Sequence, residues 1–349
     1  MAQPPDDPVL IAFQFTLFSG SLLVWIWIVS QWLRGRRLLE LEPRRVVPWG
    51  PIAALPAVSL VLLGLLSGLA GDGLPPEEFA PDAFEAARHL WAAIALQLFV
   101  AGLAIAVAAY FNATTEDLGV SVRPIRLLRD FFIGGITCLA AVLPVYGLQG
   151  LLLYLIGQDD PSHHPLVKMV TAGEPNLGVL VLATISAVLI APIGEEIVFR
   201  LMLQGWLEKW EQEQLSGGPS LELLVSNDNQ AIGLEQPRND ELRMTNDEKT
   251  DHDNSSFVIR HSSFPSRGAP SRGLAGLRFG LLPILVSSLL FAAAHFGYGP
   301  EPVPIFVLAL VLGYVYQRTH RIIPCMVAHA MFNSITILVL WRMVFHAAE

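Results

Sequence analysis

Apolar residues in this chain come in blocks of about twenty, with polar stretches between them. A block of that length matches the ~20 residues that a helix needs to cross the hydrocarbon core of a bilayer. The blocks cover roughly 9–33, 48–70, 89–111, 131–156, 177–208, 279–296, 302–318 and 322–346. Charge content agrees with membrane spans, because 53% of the residues are hydrophobic and only 15% are charged, against roughly 25% charged in a soluble domain. The expected fold is therefore all-α, a polytopic membrane helical bundle with about eight transmembrane helices. The seventh block is short and the sixth stops abruptly at His295, which leaves room for a connection between them inside the membrane.

Loop charges give an independent count. Arg34, Arg36, Arg37, Arg44 and Arg45 follow the first block, Arg123, Arg126 and Arg129 the third, and Arg318 and Arg321 the seventh. The N-terminal tail carries Asp6 and Asp7 but no Lys or Arg. The second loop has Glu77, Glu78, Asp82 and Glu85 against Arg88, and the fourth has Lys168 alone. Basic and basic-poor loops alternate as eight crossings require, and the positive-inside rule then puts both termini outside, with the cell (inner) membrane as the expected location. The first block is too long for a signal-peptide core and lacks a basic leader, so it reads as a retained span.

The formal net charge of −9 says little about partners. Residues 211–275 hold eleven acidic and six basic residues, so that stretch alone supplies −5. It is rich in Ser, Asn, Asp, Gly and Pro and cannot bury enough apolar surface to offset its ordering entropy, so a disordered cytoplasmic insertion is expected there, with His252 and His261 incidental. The chain then divides into a four-span N-terminal region, 1–176, and a C-terminal region, 177–346, that the insertion interrupts. Nothing points to nucleic acid; the expected partners are the lipid bilayer and whatever acts at it. Cys138 and Cys325 lie in apolar blocks and read as small core residues. Trp25, Trp27 and Trp49 read as interfacial anchors, and His163-His164 as a solvated loop.

A charge in the middle of a span costs ~2.5–3.5 kcal/mol even on the insertion scale, so such residues are functional candidates. The fifth block holds Gly194-Glu195-Glu196-Ile197-Val198-Phe199-Arg200, the sixth ends Phe291-Ala292-Ala293-Ala294-His295, and the eighth holds His329-Ala330-Met331-Phe332-Asn333. Glu196 and Arg200, four apart, share a helix face and can neutralise each other. Glu195 is turned about 100° away and faces something else. His329 and Asn333, also four apart, can point at one small volume. Ala292–Ala294 permit close helix approach, and Pro192 and Gly194 loosen the backbone before the two glutamates. A carboxylate beside an imidazole can deprotonate a water, and an imidazole with a carboxamide can donate to a developing oxyanion. Taken singly, each piece has a blander reading: a structural ion pair or transport path, or a histidine that binds helices together. At 1.5 Å per residue, Glu195 and His295 lie ~20–24 Å from the basic end of their helices but His329 only ~10 Å, an unexplained mismatch in depth.

Together, the order E-E-x-x-x-R, F-x-x-x-H and H-x-x-x-N, each on its own span, resembles the CAAX protease and bacteriocin-processing family, which includes the type II CAAX prenyl endopeptidases. The resemblance covers 177–346 without the insertion, which that family does not usually carry, and no residue of the first four spans. It implies an intramembrane endopeptidase in which Glu195 and His295 activate water, and His329 and Asn333 stabilise the oxyanion. Glu196, Arg200 and Phe291 would support the site. The implied partner is a membrane-associated peptide or protein, prenylated or not. Glu195, His295 and His329 are adequate zinc ligands, but H-E-x-x-H is absent and a metal-free mechanism uses every residue, so no cofactor is expected. The alternative is a non-catalytic scaffold or transporter with a buried Glu–Arg–His core. The two separate on whether the three segments meet in one place.

Overall fold

The structure is a computed structural model, and it describes residues 7–42, 46–71, 82–121, 123–157, 170, 176–215, 274, 277–296 and 300–346. Every long element among them is a helix: α1 (Pro8–Leu33), α2 (Leu55–Gly71), α3 (Ala83–Tyr110), α4 (Pro124–Ile156), α5 (Leu177–Leu215), α6 (Leu281–Ala293), α7 (Pro302–Thr319) and α8 (Ile322–His346). Their starts follow ordinary capping chemistry. Asp7 accepts from Val9 N–H at 2.9 Å ahead of Pro8, Asp82 from Glu85 N–H at 2.8 Å, and Asn176 from Val179 N–H at 3.1 Å. The helix α4 ends at Gly157 with φ +71°, a left-handed stop that glycine adopts without strain.

Six of the eight helices are long and apolar enough to cross a membrane: α1, α3, α4, α5, α7 and α8. The other two, α2 and α6, are shorter apolar helices of 17 and 13 residues. The polytopic helical bundle stands, but the short blocks are the second and sixth rather than the seventh, which reaches 18 residues. At 1.5 Å per residue α6 spans only ~20 Å, less than the hydrocarbon core. The connection from α6 to α7 passes through residues outside the described set, as do His163, His164, Lys168, Glu77, Glu78, His252 and His261.

The central element is α5, which contacts α2, α3, α6 and α8, while α4 backs α1, α7 and α8. The start of α1 and the end of α8 lie together, since Asp7 and Arg342 form an ion pair at 2.7 Å. Small residues set the closest approaches: a Cβ on Gly64 of α2 would collide with the Ala294 carbonyl, so the Ala-rich end of α6 docks on α2. Cys138 and Cys325 are buried and free, as small core residues should be.

Two expectations change. Trp49 is no interfacial anchor: it is fully buried, and its indole N–H donates to the Met202 carbonyl of α5 at 3.2 Å. The start of the insertion also moves. Helix α5 continues to Leu215, and Glu211 is fully buried, accepting from Leu274 N–H at 3.1 Å and Gly280 N–H at 2.7 Å. Amino-acid composition missed this because a carboxylate satisfied by two backbone donors is compatible with a buried helix end.

At the start of α7, burial pushes the Glu301 carboxyl from 4.5 up to about 7. The folded protein therefore holds this proton more tightly than the unfolded chain does, and stability should fall as pH rises from about 4.5 to about 7. Glu301→Gln is expected to flatten that part of the profile, read from thermal unfolding of the purified protein across this range. An unchanged slope would mean that other groups govern it.

Candidate active site

The geometry of the site begins with the winding of α5. The helix is α-helical over Leu177–Thr184, widens to π over Ile185–Ile190, returns to α over Ala191–Glu196 and widens again over Ile197–Gln204. Single wide turns of this kind recur at functional sites. The first has a clear local cause. Ala191 N–H donates to Ser186 O, five residues back. The next bond in that series would run from residue 192 to Ala187 O, but residue 192 is proline and has no N–H. Asn333 on α8 fills the gap, its side-chain N–H donating to Ala187 O at 2.8 Å. One turn back along α5, Thr184 Oγ1 accepts from Trp341 Nε1 at 2.9 Å, so two polar bonds join α8 to the first half of α5.

The two glutamates sit on the α-helical turn between the wide segments, and both are buried. Glu196 Oε1 lies 2.9 Å from His329 Nδ1, and Glu196 Oε2 lies 3.3 Å from Arg200 Nε. The expected i, i+4 ion pair therefore forms, and it also holds the imidazole of α8. Arg200 is fully buried, with its guanidinium carbon 4.9 Å from the centre of the Phe291 ring. A desolvated cation–π contact of this kind is worth ~2 kcal/mol, which helps to retain a cation whose nitrogens have no hydrogen-bond partner among the described residues.

Glu195 points elsewhere, as its 100° offset requires. Its Oε1 accepts from Gln97 Nε2 of α3 at 3.2 Å, and its Oε2 faces His329 Nε2 at 3.9 Å. His329 thus stands between the two glutamates, held by one and facing the other.

Phe291 connects the remaining residues. Its ring centre is 5.1 Å from Phe199, 5.0 Å from His295 and 5.8 Å from His329. Its carbonyl oxygen lies 2.8 Å from His295 Nδ1, which fixes that ring. The F-x-x-x-H spacing is the one that brings a backbone carbonyl and an imidazole four residues later together on a helix. The histidine and its support are one local unit.

The three segments do meet, though not evenly. Glu195, Glu196, Arg200, Phe291, His295 and His329 form a continuous cluster, and His295 reaches it through Phe291. Asn333 points instead at the backbone of the first wide turn. The depth mismatch closes because α8 starts beside Glu208: His320, at the turn from α7 to α8, has Nε2 3.3 Å from Glu208 Oε2. From that level Glu196 is ~18 Å along α5 and His329 ~14 Å along α8, a gap that a glutamate side chain spans. Two contributors were absent from the sequence reading. Gln97 and Gln204 are both amides inside apolar blocks, and that isolation was the available signal. Gln204, fully buried, binds Glu208 at 3.0 Å, Gly313 O at 2.9 Å and Ser287 at 3.3 Å, holding α6 and α7 on α5 below the site.

Among the described residues, no three His, Cys, Asp or Glu come together in a group that could hold an ion.

Comparison with known proteins bears on the C-terminal part. Residues 264–335 match the family model described as type II CAAX prenyl endopeptidase Rce1-like. This segment is similar to that family. No curated protein and no solved structure matches the chain. The Rce1-like segment contains Phe291, His295, His329 and Asn333 and stops short of Glu195, Glu196 and Arg200, which reach it through the contacts above. The match supports an intramembrane endopeptidase at the level of the family.

Proposed function

We propose that this protein hydrolyses a peptide bond of a membrane-associated substrate, prenylated or not, with a water activated by Glu195 and His295 and without a metal. The observation that supports this most directly is the imidazole of His329, buried between Glu196 at 2.9 Å and Glu195 at 3.9 Å. A scaffold has no use for two carboxylates on one histidine inside the membrane, where each charge is costly. In the proposed reaction, His295 orients the water and Glu195 Oε2 takes a proton from it as its oxygen attacks the scissile carbonyl carbon. Negative charge develops on the carbonyl oxygen. His329 Nε2–H and the second side-chain N–H of Asn333 stabilise it, the first N–H being occupied by Ala187 O. The proton on Glu195 then passes to the amide nitrogen as the C–N bond breaks. In this reaction His329 acts as the imidazolium, its Nδ1–H held by Glu196 and its Nε2–H left for the oxyanion, while Arg200 offsets the charge of Glu196 and Phe291 packs against both imidazole rings.

The orientation that fits this reading has both termini outside, with the basic loops and the insertion cytoplasmic, in the cell (inner) membrane. The test is substrate capture. Glu195→Gln removes the base while keeping a side chain of the same size, so the purified variant in vesicles should retain a membrane peptide that the wild type cleaves, with the captured peptide identified by mass spectrometry. A Glu195→Gln variant that still cleaves, or a wild type inert towards prenylated and unprenylated membrane peptides alike, would overturn the reading.

A further inference from the structure

We infer that Gln97 of α3 is a positioning residue for the hydrolysis proposed above, and that the N-terminal region therefore contributes directly to the site through α3. This inference rests on that proposed reaction, and three observations carry it.

The first is the bond itself. Gln97 Nε2 donates to Glu195 Oε1 at 3.2 Å across a sequence separation of 98 residues. A carboxylate on a helix is free to rotate about its terminal torsion, which is broad and roughly two-fold. Tying one oxygen removes that freedom and leaves the other, Oε2, towards His329. A general base needs its free lone pair aimed at one water, and positioning of this kind is a large part of catalytic rate. Glu196 already has its own partners in His329 and Arg200, so Gln97 is the group that separates the roles of two adjacent, chemically identical carboxylates.

The second is the space made for it. A Cβ on Gly194 would lie 2.8 Å from Gln97 Oε1 and 3.4 Å from the Gln97 carbonyl oxygen. Real Cβ atoms do not approach an oxygen that closely, so the glycine before the glutamate pair lets α3 come near enough for the amide to reach Glu195. Loosening of the backbone explains Gly194 less well, since its turn is regular α-helix.

The third is the cost. Gln97 Oε1 is buried and accepts nothing among the described residues. An apolar side chain in this block of α3 would carry no such penalty. An amide kept at that cost in an otherwise apolar stretch serves its other end, the N–H on Glu195.

The experiment compares Gln97→Leu, Gly194→Ala and the double variant with the wild type in vesicles, using a peptide that the wild type cleaves. Leucine has nearly the same volume and suits a membrane helix, so folding should survive, and thermal unfolding is measured alongside. Gln97→Leu is expected to lower kcat about 10–100-fold while KM changes by less than about threefold. A packing defect would instead lower the unfolding temperature and leave the kcat of the folded fraction unaltered. Gly194→Ala, by pushing the amide away, is expected to lower kcat as well, and the double variant should be no slower than Gln97→Leu alone. A Gln97→Leu enzyme with wild-type kcat, or fully additive losses in the double variant, would overturn the role of Gln97 while leaving the protease reading intact. A wild type that cleaves nothing overturns both.

Discussion

Glu195→Ala should cut kcat by about 10²–10⁴-fold, the range that a positioned general base supplies. His329→Ala should cost about 10²–10³-fold, the loss that follows removal of one donor to a developing oxyanion. The two losses should not add. Glu195 Oε2 and His329 Nε2 lie 3.9 Å apart, so in the proposed reaction they act on the same water and carbonyl, and residues acting as a unit are strongly non-additive. The double variant is expected to be about as slow as the slower single one. Initial rates in vesicles, with helix content checked by circular dichroism, measure this directly. Full additivity would mean that the two groups work independently, and the shared site would have to be abandoned.

The second large effect concerns stability. Glu196→Ala leaves Arg200 buried with no counter-charge and removes the partner of His329 Nδ1. Breaking one member of a buried pair costs ~3–5 kcal/mol, because the remaining charge stays in a low dielectric. Arg200→Ala should cost a similar amount and also strip the Phe291 ring of its cation. The double variant Glu196→Gln/Arg200→Met removes both charges together and is expected to be more stable than either single change, since a buried pair replaced by neutral side chains of similar size is often neutral in effect. Thermal unfolding of the four proteins in detergent decides it. Were Glu196→Ala as stable as the wild type, the Glu196–Arg200–His329 core would contribute little to the fold.

Much of the fold and part of the site were legible in the sequence. The all-helical bundle follows from block length and from the obligation of backbone groups to pair inside lipid. The Glu196–Arg200 contact follows from helical spacing alone, as does the opposite orientation of Glu195. What lay beyond reach depended on which helices are neighbours. A lone glutamine at position 97 becomes meaningful only when α3 is known to lie against α5, and no periodicity supplies that. Trp49 reads differently for the same reason, because its partner is the Met202 carbonyl of α5, a neighbour that only the packing supplies. The depth of His329 failed on a different assumption. All helices were measured from one plane, whereas α8 begins beside Glu208, at its own level.

The widened turns of α5 have a consequence for how this site could be lost. A π-turn is an α-helix carrying one surplus residue. Shedding a single residue from Ile185–Ile190 would let that stretch rewind to the ordinary pitch while everything beyond it kept nearly its present direction, because the wide turn already absorbs the surplus residue. Shedding one from the regular turn Ala191–Gly194 would instead spin the helix before it by about 100° relative to Glu195 and Glu196, although every residue that carries chemistry would still be present. A homologue with an intact set of glutamates and histidines would be expected to stay active with a one-residue deletion in the wide turn and to be inactive with one in the regular turn that follows.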